Sequence, residues 1–150
     1  MKKKLLIIGA IIALLAIICG SIGLYMFYKP TKNFSKSKVD VTLTSTGLFN
    51  EFLKDQNLAN SKYVSTDKTI EITGKITEIK KNDDGTILII FDVGNTDGDV
   101  SCTLANEETP KAAKYHAGSI IKIKGQCTGY QELISKEVIM IRCGIVELFY

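Results

Sequence analysis

The chain has 150 residues, 45% of them hydrophobic, with four cysteines and a formal net charge of +3. Lys2, Lys3 and Lys4 supply that whole excess, so residues 29–150 carry equal numbers of positive and negative side chains. A polyanion binder normally shows a basic surplus, and this balance argues against nucleic acid as the ligand.

Leu5 to Tyr28 contains no charged side chain. At about 1.5 Å per residue the stretch makes about 36 Å of helix, enough to cross roughly 30 Å of hydrocarbon with some tilt. A lone segment in lipid must satisfy its peptide groups internally, which a helix does. Tyr25, Phe27 and Tyr28 close the stretch with rings suited to the interface. Three readings compete for residues 1–28. A cleaved secretory signal needs a shorter apolar core. A lipoprotein signal would place Cys19 after a small residue, and Ile18 stands there instead. A retained single-pass anchor fits the length best. Lys2, Lys3 and Lys4 favour a cytoplasmic N-terminus, whereas Lys29, Lys32, Lys36 and Lys38 argue the other way. The expectation is a cell-membrane protein with the remainder outside the cytoplasm.

Residues 29–43 are polar from Lys29 to Asp40 and read as a linker. Its lysines either attract anionic head groups or simply solvate a spacer. Residues 44–150 are expected to form one domain. Helical spacing of Leu48, Phe49, Phe52, Leu53, Ala59 and Tyr63 predicts a helix over 44–63, capped by Thr44 or Ser45. From Thr69 the period becomes two. The alternation slips between Ile76 and Ile79, soon after Gly74, which predicts a bulge bending a long first strand. Asn82-Asp83-Asp84-Gly85 is a turn, Thr86 to Val93 a second strand, Gly94 to Asp99 another turn, and Val100 to Leu104 a third strand. Glu107 to His116 reads as a short helix closed by Gly118. Ser119 to Cys127 and Val138 to Val146 are the fourth and fifth strands. Helix, three strands, short helix and two strands is the plan of a mainly β, five-stranded OB-fold Greek-key barrel, here behind an N-terminal transmembrane helix.

The chain resembles the tRNA_anti-like family of OB-fold proteins, small bacterial chains that are membrane-anchored or lipoprotein-like. The likeness covers most of residues 25–146. It rests on Tyr28-Lys29-Pro30, Leu48-Phe49-Asn50-Glu51-Phe52, Ala59 with Lys62-Tyr63, and Ile72-Thr73-Gly74-Lys75-Ile76. It continues through Val100-Ser101-Cys102, Gly118, Gly125-Gln126-Cys127-Thr128-Gly129 and Arg142-Cys143. The resemblance implies an OB barrel and no particular activity. The connection between strands four and five, Tyr130 to Glu137, reads as longer than is usual there.

OB barrels meet ligands on the face of strands two and three, framed by the loops after strands one and four. Stacking rings and a cationic track are what a single-stranded nucleic acid needs. Candidate ligand-binding residues are therefore Lys80, Lys81, Phe91, Tyr115, Lys122, Lys124 and Tyr130. Asp83, Asp84, Asp92, Asp97 and Asp99 crowd the same region, and Phe91 sits in an apolar run more like core than platform. Cys127 and Cys143 flank the last connection with a midpoint at 135, which makes a disulfide geometrically plausible. Reduced core thiols, or Cys102 as a partner, are the alternatives. A zinc site from Cys102, Cys127, Cys143 and His116 lacks a Cys-x-x-Cys pair. Asp92, Asn95, Asp97 and Asp99 lack the spacing of an EF-hand and read as a hairpin turn. The lone His116 belongs to no recognisable catalytic motif. The sequence thus points to a non-enzymatic binding module at the envelope, with no cofactor and a protein, peptide or glycan ligand. An oligonucleotide-binding domain and a structural part of an envelope complex are the alternatives.

Overall fold

The computed structural model describes residues 2–28, 32–95 and 97–146; the expectations for Lys29, Pro30 and Thr96 lie outside them. The chain divides into two compact units, Met1–Thr31 and Lys32–Tyr150.

The first unit holds one helix, α1 (Lys2–Tyr28). Its Ile7–Tyr28 stretch is long and apolar enough to cross a membrane, with a mean hydropathy of 2.7 and none of it buried in protein. A helix that is apolar all round and has no core to enter is suited to lipid.

The second unit is a closed five-stranded barrel with helices. Its strands are β2 (Ile70–Lys81), β3 (Ile87–Phe91), β4 (Gly98–Leu104), β5 (Ile120–Glu132) and β6 (Lys136–Val146). The order is β2-β3-β4-β6-β5, and β5 pairs back onto β2 to close the sheet. One strand serves two neighbours because it bends. Ile70 to Lys75 pair with β5, Ile76 to Lys81 pair with β3, and the register shifts between Ile76 and Glu78. The predicted bulge is therefore present, and it lets β2 turn the barrel's corner.

Two helices close the barrel in place of the one expected over 44–63. In α2 (Ser45–Lys54) the Thr44 hydroxyl accepts from Gly47 N–H at 2.9 Å, as the cap reading requires. The backbone then turns extended at Asp55, whose carboxylate accepts from Leu58 N–H and starts α3 (Gln56–Tyr63). A side chain that caps a new helix competes with continuation of the old one. Leu48, Phe49, Phe52, Ala59 and Tyr63 are buried, and Leu53 is not. Between β4 and β5 the predicted short helix appears as a 3₁₀ turn (Asn106–Glu108) running into α4 (Thr109–Ala112).

The segment read as a linker is only partly one. Val41–Thr44 form β1, which pairs in parallel with Ile70 to Thr73 of β2. Before it, the chain is strapped to the barrel. Phe34 is 1% exposed, the Lys32 ammonium donates to the Asp67 carbonyl, and the Asn33 amide donates to Glu107 at 3.3 Å. The strap passes so close to β6 that a Cβ on Gly144 would stand 2.2 Å from Ser35 Cβ. Hydrophobic patterning misses this strap because one buried ring in a polar run has no period.

Three cysteines lie in the barrel core, all free; the Cys127–Cys143 disulfide is not formed. The reason is register. The last connection is a tight turn of Leu133 to Ser135, shorter than the eight-residue loop expected, because β5 and β6 extend to Glu132 and from Lys136. The turn is centred on residue 134, not 135, which already sets Cys127 two positions off Cys143, and the bulge at Thr128 moves it one further, opposite Met140. Cys143 instead neighbours Cys102 in the core, and burial first, with Cys143 beside it, pushes the Cys102 thiol well above its usual range.

Candidate functional site

The outward face of β3, β4 and β6 is set by alternation. Ile87, Ile89 and Phe91 point into the barrel, so Leu88 and Ile90 point out. Register places Leu88 beside Thr103, and Ile90 beside Ser101, which in turn lies beside Ile139 of β6. Ile139 and Ile141 alternate with buried Val138 and Met140. The result is a sheet face with four half-buried aliphatic side chains, Leu88, Ile90, Ile139 and Ile141, around two small hydroxyl residues. Ser101 is 2% exposed, a recess between its larger neighbours.

Where β2 bends away from β3, this face opens into a groove of about 760 Å³. Its charged lining is Lys75, Glu78, Lys80, Asp92 and Asp99. Lys80 is paired with Glu78 at 3.2 Å. Asp99 lies opposite Glu137 in the β4–β6 register, and one of its carboxylate oxygens is buried without a partner. Burial first, and the neighbouring Glu137 second, push the Asp99 carboxyl above the usual range; Lys80 offsets part of this. The groove therefore carries more negative than positive charge.

A second hollow of about 540 Å³ lies between the later part of β2 and α4, lined by Ile79, Ile87, Ala112, Tyr115 and His116. His116 Nδ1 and Ser119 Oγ stand 3.1 Å apart there. Ser119 also accepts from His116 N–H, so the pair closes a turn. No metal-binding group of three or more His, Cys, Asp or Glu occurs among the described residues.

The structure scatters the residues predicted for a ligand site. Lys80 and Lys81 end β2 beside the face, and both are exposed. Phe91 is 0% exposed, part of the core and no platform. Tyr115 lines the second hollow. Tyr130 stacks on Phe52 at 6.1 Å with 13° between the rings; burial, then Glu132, raise its hydroxyl pKa. Lys122 and Lys124 lie on β5 against the early half of β2, where Lys122 meets Glu71 at 3.4 Å. No aromatic side chain lies among the outward residues of β3, β4 and β6 described here. Sequence reasoning missed Leu88, Ile90, Ile139 and Ile141 as a surface. Alternation identifies two parities in each strand, and only closure of the barrel says which one is outside.

Comparison with known proteins agrees with this architecture. The family model described as tRNA_anti-like matches residues 1–145. A solved "putative nucleic acid-binding lipoprotein" from Klebsiella pneumoniae is similar over 71% of this chain and 92% of its own, at 18% identity and a TM-score of 0.55. That likeness bears on the fold alone. The Stn1–Ten1 complex of S. pombe (15% identity, 52% and 57% covered, TM-score 0.38) and an Entamoeba histolytica asparaginyl-tRNA synthetase (15% identity, 53% and 20% covered, TM-score 0.37) are more distant. No curated protein sequence matches the chain.

Proposed function

We propose, from the premise that this chain belongs to the tRNA_anti-like family, that it is a membrane-tethered OB-fold module whose β3–β4–β6 face binds an extended polypeptide without catalysing a reaction on it. The observation that carries the reading is the make-up of that face. Four aliphatic side chains surround Ser101 and Thr103, with no aromatic side chain among the described outward residues. Aliphatic contact with flanking hydroxyls and carboxylates suits alternate side chains and amides of a peptide. Stacking of bases has no ring to use.

An oligonucleotide ligand is the second reading, favoured by the description of the Klebsiella lipoprotein. Against it stand the acid-rich groove and the dispersal of Lys80, Lys122 and Lys124 to different sides of the barrel. In the same proposal Lys2, Lys3 and Lys4 stay in the cytoplasm and the barrel lies outside. A binding titration of the full chain in detergent with fluorescent single-stranded DNA and RNA, run at two salt concentrations, tests the choice. Micromolar binding that weakens steeply with salt would replace the polypeptide reading with the oligonucleotide one. A random peptide array probed with the same protein should return sequences with aliphatic residues at alternate positions.

A further inference from the structure

Arg142 is the chain's one arginine among 150 residues. It sits in β6 with φ +53°, the one described non-glycine residue with a positive φ. The cause is a bulge. Lys124 pairs with Gly144 and Gln126 with Ile141, so Arg142 and Cys143 together face the single residue Gly125. There is no room to shift the burden to β5, because a Cβ on Gly125 would stand 2.5 Å from Cys143 Sγ and 3.1 Å from the Ile141 carbonyl. The left-handed position of such a bulge is one that glycine fills without cost and an arginine fills under strain.

What the strain achieves is placement. Across the parallel β4–β6 pair the register also slips, from Cys102–Met140 to Leu104–Cys143, so Thr103 lies beside Ile141 and Arg142. The bulge thus sets Arg142 at the margin of the aliphatic face, where its side chain is exposed. Among the described residues nothing pairs with its guanidinium. Opposite Ile141, Gln126 is 7% exposed and keeps an amide oxygen without a partner. A fork of donors unpaired among the described residues, at one edge of this face, matches a planar oxyanion, and the Gln126 oxygen is an acceptor suited to a backbone N–H of the same ligand.

We infer that Arg142 is the carboxylate-binding residue of this face, taking the C-terminal or side-chain carboxylate of the bound polypeptide. The inference rests on the polypeptide reading above and adds its polarity. A carboxylate fits better than a run of phosphates, because Asp99 and Glu137 lie on the same face five residues along β6, about 17 Å away. A ligand with one terminal charge avoids them, whereas a repeating anion would cross them.

One arginine means one side-chain Nε–H signal, so the site reports on itself in a nitrogen-15 spectrum of the full chain in detergent micelles. The probes are an acetylated Ala-Leu-Ala-Leu peptide with a free carboxylate, the same peptide as its C-terminal amide, inorganic phosphate, and a dT oligonucleotide. The expected result is a saturable shift of the Arg142 signal with the acid peptide and at least tenfold weaker binding of the amide. Arg142→Lys, which keeps charge and backbone strain, should weaken the acid peptide about tenfold with an unchanged backbone spectrum. Equal affinity for acid and amide, or an unaffected Arg142→Lys variant, would overturn the role of Arg142 and leave the polypeptide reading standing. No shift with either peptide at millimolar concentration would also overturn it. Binding of dT or phosphate in preference to the acid peptide would overturn both readings.

Discussion

Replacing Arg142 by glycine should make the barrel more stable, an unusual direction for a change in the middle of a strand. The left-handed conformation costs an L-residue about 1–2 kcal/mol. Glycine occupies it freely but gives back about 0.5–1 kcal/mol through its greater freedom when unfolded. The side chain is exposed and unpaired among the described residues, so little else is lost. The net expectation is a gain of about 0.5–1 kcal/mol, or a melting temperature higher by about 2–5 °C for a unit of this size. Thermal unfolding of the full chain in detergent, followed by circular dichroism, measures it, with Arg142→Lys as the control that keeps the strain. A fall in melting temperature for Arg142→Gly would refute the reasoning, since it would mean that the guanidinium holds the fold together. A gain, set beside loss of acid-peptide binding by the same variant, is what a residue kept for recognition at the expense of stability should show.

Other outcomes follow from the barrel's margins and core. Phe34→Ala removes a ring that is 1% exposed and should cost about 3–4 kcal/mol; trypsin should then cut after Lys36 or Lys38 faster than in the parent, and unchanged protection would deny that the strap is docked. Asp99→Asn should raise the melting temperature at pH 7 and lose that advantage toward pH 3. The native carboxyl titrates above its unfolded value, so between the two the folded state holds more protons and stability falls as pH rises; an advantage that grows on acidification would contradict this. Burial pushes the Cys127 thiol up to about 11 and Cys102 well above its usual value. All three barrel cysteines are buried, so iodoacetamide at neutral pH should leave Cys102, Cys127 and Cys143 unmodified until the chain is denatured, and rapid native labelling of any of them would show that the core is open.

Much of this architecture is legible in the residues alone, for a physical reason. An uncharged stretch long enough to span lipid, a change of period from four to two, Asp-Gly turns and a hydroxyl cap at Thr44 are short-range signals, each written within a few neighbouring residues. They suffice for the long apolar helix, the sequence of strands and the bent first strand. The alternation of Ile87 to Phe91 and of Val138 to Ile141 is equally plain, yet it says only that two faces exist.

Which face is core, and what stands beside what, depends on register, and register is summed over the whole barrel. Bulges at Thr77 in β2, Thr128 in β5 and Arg142 in β6 each move the count by one residue. The turn centre parts Cys127 from Cys143, the closed sheet puts Phe91 inside, the β2–β5 pairing brings Lys122 to Glu71, and the bulge in β6 sets Arg142 beside Thr103. The N-terminal apolar helix and the barrel plan come from local patterning of hydrophobic and turn residues. The outward aliphatic face and the guanidinium at its margin come from closure of the sheet, because only then does each strand's parity acquire an inside and an outside.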